Sequence, residues 1–199
     1  MTFIQTVPED EATGAVAKLY ASNSDHAGRV PNFIGTFSHH PEIDGLFESQ
    51  LSAIRGRLDP RRYEIATVAA ASEIGSSYCT LAHGSVLMNL GMEEDTLVGR
   101  VQGRAGDVLN DEEVAVFAYA RKVAQAASTV TQDDVDGLKA HGLSDAEIFD
   151  IAASAAIRRF IAKLLDAVGA QPDAKFHDLR PELSKILSVG RAIEEAGQT

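Results

Sequence analysis

The chain has 199 residues, 45% of them hydrophobic and 24% charged, a composition that belongs to globular proteins and not to disordered ones. At this length roughly 70% of the unfolded chain's surface can be buried, so a single domain can build its core without metal or disulfide staples. Eighteen basic against twenty-nine acidic residues give a formal charge of −11, which excludes a broad cationic footprint for phosphate backbones and with it a nucleic-acid partner. The longest wholly apolar stretch, Val114 to Ala120, is far short of the roughly 20 residues of a membrane span. The N-terminal MTFIQTVPEDE has neither the basic nor the apolar region of a secretory signal, and one cysteine cannot form an intrachain disulfide. These features point to a cytoplasmic, reducing compartment.

Helix start and stop signals recur along the chain, period-2 alternation is nearly absent, and the pattern reads as all-α. A first helix is predicted from about Pro8 to Ser22, with Glu9, Asp10 and Glu11 where the helix dipole favours anions. Residues 23 to 40 read as a loop, after which Pro41 opens a helix to about Arg55. Asp59 and Pro60 start a third helix that ends near Gly75, and Ser76 or Ser77 caps a fourth that stops at Gly91. A short fifth helix runs from Glu93 to about Val101, Asn110 caps a sixth to Ala127, and Thr131 caps a seventh. A capping box at Ser144 and Glu147 opens the longest helix, which ends at Val168 and Gly169. After a turn-rich segment from Pro172 to Pro181, an amphipathic helix is predicted from Glu182 to about Ala196, with Leu183, Ile186 and Leu187 on its apolar side. The passages from Arg62 and from Ala146 echo each other faintly, as alanine-rich helices do by composition.

The most informative passage surrounds the single cysteine. Cys79 and His83 are four apart, which on a helix puts both side chains on one face, close enough for the imidazole to take the thiol proton. Val86 and Leu90 extend that face as an expected apolar wall, with Val68 from the preceding helix and with Phe33 and Phe37 closing the pocket from the loop. If Ser76 is the N-cap, Cys79 is the third helical residue, where the dipole lowers a thiol pKa while burial raises it. The balance stays open at this level, and a lone buried cysteine also serves simply as a small hydrophobe. Glu64 lies on the side of the preceding helix shared with Val68, Ala71 and Ser72, where it could orient His83; otherwise it serves the helix start or pairs with Arg61. Glu73 points to the opposite side and is expected to be solvated.

The spacing is Glu64, eleven residues, Ser76, two residues, Cys79, three residues, His83. It resembles the motif of the alkylhydroperoxidase D and carboxymuconolactone decarboxylase superfamily, in which a second cysteine stands where this chain has Ser76. The passages VPNFIGTFSHHP, LDPRRYEIATVAAAS and VTQDDVDGLKAHGLSDAEIFDI resemble its longer, peroxidase-related branch, over about residues 8 to 178. The resemblance implies an all-α, alkylhydroperoxidase D-like fold with antiparallel helix pairs, covering residues 1 to 178, and a homo-oligomer from dimer to hexamer. Residues 179 to 199 are then a C-terminal helical appendage expected to pack on a partner subunit.

The resemblance further implies Cys79, His83 and Glu64 as catalytic residues, with Ser76 and Tyr78 supporting. Serine at position 76 excludes an intramolecular disulfide cycle and leaves one-cysteine chemistry: Glu64 and His83 deprotonate Cys79, the thiolate attacks a peroxide, and an external thiol restores it. Ser76 is expected to cap the helix and donate to the sulfur. Tyr78 packs by default, with a hydrogen bond to Glu64 or substrate as its other role. The alternatives are an acid–base enzyme acting on a small carboxylated lactone through Glu64 and His83, and a non-catalytic, degenerate homologue. For the lactone reading Arg61, Arg62, Arg158 or Lys163 could supply the cation. No metal site is expected: His39 and His40 precede Pro41 in a loop without a paired-ligand motif, and His26, His141 and His177 read as surface or turn residues. No organic cofactor is expected either, since GRAGDV from Gly103 lacks the glycine spacing of a phosphate loop.

Overall fold

The computed structural model describes residues 2–25, 27–102, 109–195 and 197. Ten α-helices and no strand occur among them: α1 (Gly14–Asn23), α2 (Asn32–Thr36), α3 (Pro41–Arg55), α4 (Pro60–Ile74), α5 (Ser77–Asn89), α6 (Glu94–Val101), α7 (Asp111–Ala126), α8 (Gln132–Ala140), α9 (Asp145–Val168) and α10 (Pro181–Leu187). Short 3-10 turns supplement them at Glu9–Glu11, Phe37–His39, Ala127–Thr129 and Ala174–Asp178.

Helix α4 is the axis of the molecule. Every residue from Tyr63 to Ala71 is buried, as a helix apolar on all sides requires, and α5, α7 and α9 surround it. Its alanines at 66, 69, 70 and 71 let these neighbours approach closely. Both ends are set locally. Asp59 accepts from the Arg62 amide at 3.0 Å, Pro60 occupies the first turn, and Gly75 takes the left-handed conformation that closes the helix. The chain then reverses within two residues, so α5 returns antiparallel to α4.

The first turns of α4, α7 and α9 meet in an ion-pair cluster. Arg61 binds Glu113 at 2.5 Å, and Arg62 binds Glu112 and Glu147, each at 2.6 Å. Further along, Arg121 donates to Glu73, so α4 and α7 run in the same sense. Glu73 is therefore paired rather than solvated: the α7 surface brings a guanidinium to the far side of α4, which helical phase alone does not reveal. The three arginine partners also account for Arg61 and Arg62, which belong to this cluster.

The capped helices lie where their signals put them. Capping boxes at Asn110, Thr131 and Ser144 start α7, α8 and α9, and left-handed Gly169 ends α9. Three segments differ from expectation. The first predicted helix is broken: Ala12 and Thr13 are extended, and the stretch before them folds back so that the Tyr20 hydroxyl donates to the Val7 carbonyl at 2.6 Å. The predicted loop 23 to 40 contains α2, because Ile34 and Phe37 bury into the core and draw the backbone into helical turns.

The C-terminal helix is the third difference, ending at Leu187 instead of about Ala196. Leu183 and Leu187, one turn apart, are both fully buried against the chain's own α5 and α6. Beyond them the chain crosses the α4–α5 corner, where Gly190 donates to Ser77 Oγ at 2.8 Å. A Cβ at position 190 would lie 2.1 Å from the Gly75 carbonyl oxygen, so only glycine passes here. The tail then continues to Glu194, whose amide donates to the Pro172 carbonyl. The apolar side of the appendage thus lies in its own subunit's core. The GRAGDV passage and His26 lie outside the described residues.

Candidate active site

Antiparallel packing of α4 and α5 brings Glu64 to His83. His83 Nδ1 and Glu64 Oε2 are 2.6 Å apart, with side-chain exposures of 17% and 10%. A carboxylate acceptor at Nδ1 assigns the ring proton to that nitrogen and leaves Nε2 bare. Burial holds the His83 pKa below the usual imidazole value, and the charge of Arg158 lowers it further, against the opposing pull of Glu64. At neutral pH the ring is a neutral base with a defined tautomer.

Cys79 is the third residue of α5, as its spacing predicts, and is 3% exposed. Its hydrogen-bond donor comes from α9: Arg158 Nη1 lies 3.8 Å from Sγ. The other terminal nitrogen, Nη2, faces Tyr63 Oη at 3.4 Å, and Nε is buried without a partner. Tyr63 fills the space between these groups, edge-on to His83 at 6.4 Å and beneath the Arg55 guanidinium at 5.4 Å. The site therefore consists of Glu64 and Tyr63 from α4, Cys79 and His83 from α5, and Arg158 from α9, with Arg55 from α3 at its edge.

Several expected details differ. Ser76 stands at the N-cap position of α5, but its side chain makes no capping bond, and the sulfur's donor is Arg158 instead. Ser76 is fully buried, and its carbonyl accepts from the Thr80 amide and hydroxyl. Tyr78 does not reach Glu64. Its hydroxyl donates to Asp173 Oδ2 and accepts the Phe33 amide at 3.3 Å, tying the segment before α10 and the start of α2 to α5. Burial together with Asp173 raises the Tyr78 pKa well above the usual phenol value. Val86 and Leu90 are 40% and 41% exposed and form no wall; α5 turns them outward after His83. Val68 lies in the α4 core, Phe37 is buried near α3, and Phe33 packs edge-on against Tyr78.

Of the four candidate cations only Arg158 reaches the site; Lys163 donates to the Ile74 carbonyl. His39 contacts the Gln5 carbonyl, His40 contacts Glu42, and both are exposed. His177 meets the Glu194 carbonyl and His141 is exposed. Among the described residues no group of three or more His, Cys, Asp or Glu is arranged to hold a metal ion. A groove of about 890 Å³ between the N-terminal segment, Asn32 and Glu194 does not include the Cys79 cluster. Sequence reasoning missed Tyr63 and Arg55, whose only signal was their position within a turn or two of Glu64 and Asp59.

The fold is shared with solved proteins. A peroxidase-related protein from Ralstonia eutropha JMP134, described as an alkylhydroperoxidase AhpD core, superposes with a TM-score of 0.78 at 23% identity, over 88% of this chain and 94% of its own. A peroxidase-related protein from Silicibacter sp. TM1040 gives 0.70 at 20% identity, over 88% and 91%. The debrominase Bmp8, solved as a cysteine-to-alanine variant in complex with 2,3,4-tribromopyrrole, gives 0.72 at 18% identity, over 94% and 98%. No curated protein matches the sequence. Residues 43–122, which carry Glu64, Cys79 and His83, match the carboxymuconolactone decarboxylase family. This match lies inside a helical fold shared with alkylhydroperoxidase-like proteins.

Proposed function

We propose that this protein is a one-cysteine thiol oxidoreductase that reduces a peroxide, with Cys79 as nucleophile and His83 and Glu64 as its proton relay. The observation that carries this reading is a guanidinium on the Cys79 sulfur, with a neutral imidazole held by a carboxylate one turn further along α5. Arg158 Nη1 supplies a hydrogen-bond donor to the sulfur, and the bare Nε2 of His83 receives the proton.

The thiolate sulfur attacks the terminal peroxide oxygen, the O–O bond breaks, and the alkoxide leaves with the proton held by His83. Cys79 becomes a sulfenic acid and the peroxide an alcohol. Because position 76 is serine, no second motif cysteine closes a disulfide. One external thiol condenses with the sulfenic acid, releasing water, and a second displaces Cys79 as thiolate and leaves as disulfide.

The test is intact mass of the protein after brief exposure to one equivalent of hydroperoxide, followed by turnover with a dithiol. Addition of one oxygen at Cys79, removed by the thiol, supports the reading. An unmodified mass, or full turnover in Cys79→Ser, overturns it. A second reading is favoured by the neutral, Glu64-bound His83, which is a competent base whether or not the sulfur reacts: acid–base chemistry on a small carboxylated lactone. Activity on such a lactone that survives Cys79→Ala and disappears in His83→Ala selects it.

A further inference from the structure

Arg158 is more than the sulfur's neighbour. The residue is 4% exposed on α9, and among the described residues no carboxylate lies within ion-pair distance of it. Burying a guanidinium without a counter-charge is costly, and a fold keeps such a group where something else completes it. Of its three nitrogens, Nη1 faces Cys79, Nη2 has one long contact with an uncharged phenol, and Nε has none. Nε and Nη2 form one edge of the planar group, the edge that binds a carboxylate with two parallel hydrogen bonds. That edge is thus the less satisfied one.

The local charge agrees. Within a chain of net charge −11, both Arg158 and Arg55 act electrostatically on His83, and Glu64 is the carboxylate bonded to it. Arg158 and Arg55 thus bring two positive charges against the one carboxylate of Glu64.

We propose that Arg158 is the anchoring residue for an anionic substrate: its Nε–Nη2 edge takes a carboxylate or comparable small oxyanion and holds the attached reactive group against Cys79 Sγ. This rests on the Cys79-centred reading of the site and names its substrate class as small organic acids, a peroxy or hydroperoxy acid among them. Tyr63 Oη, at 3.4 Å from Nη2, is the placeholder that the carboxylate displaces or joins.

The test uses the full chain with benzoate as probe and benzamide as its uncharged counterpart. In calorimetric titration the wild type binds benzoate saturably and benzamide at least tenfold more weakly, and Arg158→Gln weakens benzoate by about tenfold or more, the loss of a charge-assisted pair. Arg158→Lys, which keeps the charge but not the planar edge, lies between and carries the test if the glutamine variant loses its helical circular dichroism. In parallel, Cys79 is alkylated with iodoacetate and with iodoacetamide. The ratio of the two rates cancels thiolate reactivity, and it falls in Arg158→Gln if the guanidinium gathers anions at the sulfur. Absence of benzoate binding, equal binding by the glutamine variant, or an unchanged ratio overturns the proposal. A thiol inert to both reagents, with benzoate binding still dependent on Arg158, leaves the anion site standing and removes the peroxide reading.

Discussion

His83 Nδ1 sits 2.6 Å from Glu64 Oε2, a bond between residues nineteen apart that exists because left-handed Gly75 folds α5 back along α4. The carboxylate sets the tautomer and so decides which nitrogen works as a base. Replacing Glu64 by Gln removes the charge and offers Nδ1 an amide donor as well as a carbonyl acceptor, so the tautomer is no longer fixed and the charge no longer supports the imidazolium. Turnover is then expected to fall by roughly 10²–10⁴-fold, the usual range for general acid–base catalysis, with KM changed little. Steady-state kinetics of Glu64→Gln beside the wild type checks this.

The depressed His83 pKa carries a pH signature. Between its folded value and the ordinary value near 6.5, the unfolded chain binds more protons at this residue than the folded one. The contribution of His83 to stability is therefore complete above 6.5 and is lost as pH falls through the folded pKa. Urea midpoints from pH 7.5 down to 5 should decline in the wild type and decline less in His83→Gln. The acid limb of kcat/KM should lie below pH 6.5 for the same reason.

Tyr78 is a structural tie on this geometry. Tyr78→Phe deletes a donor to Asp173 and the acceptor for the Phe33 amide, both partly buried. A loss of about 1–3 kcal/mol in unfolding free energy is expected, with the rate of Cys79 alkylation unchanged. A large fall in that rate without loss of stability would instead make the phenol part of the site.

The tail is held by two buried leucines and one close crossing. Leu187→Ala should cost about 2–5 kcal/mol, as for other fully buried leucines. Gly190→Ala forces the tail off the Gly75 carbonyl and should raise proteolytic cleavage after residue 187, while leaving α4 and α5 folded. Limited proteolysis of both variants distinguishes the two effects.

The amino-acid sequence by itself determined the parts governed by neighbours along the chain. Asp59 with Pro60, Asn110 with Glu113, and Ser144 with Glu147 satisfy backbone amides within three residues, so these helix starts were readable, as was the Glu64, Cys79, His83 spacing. Tertiary structure decided what depends on distant partners. Arg158 reaches Cys79 across seventy-nine positions, and only the packing of α9 on α4 distinguishes it from Arg61 and Arg62, which the α7 and α9 carboxylates claim. Val86 and Leu90 share a helical face with the thiol by phase, yet exposure is set by which helices cover that face, and none reaches so far along α5. The last helix stops at Leu187 because Gly190 must cross the Gly75 corner; a helix end imposed by a steric encounter with a segment 115 positions away leaves no local signal.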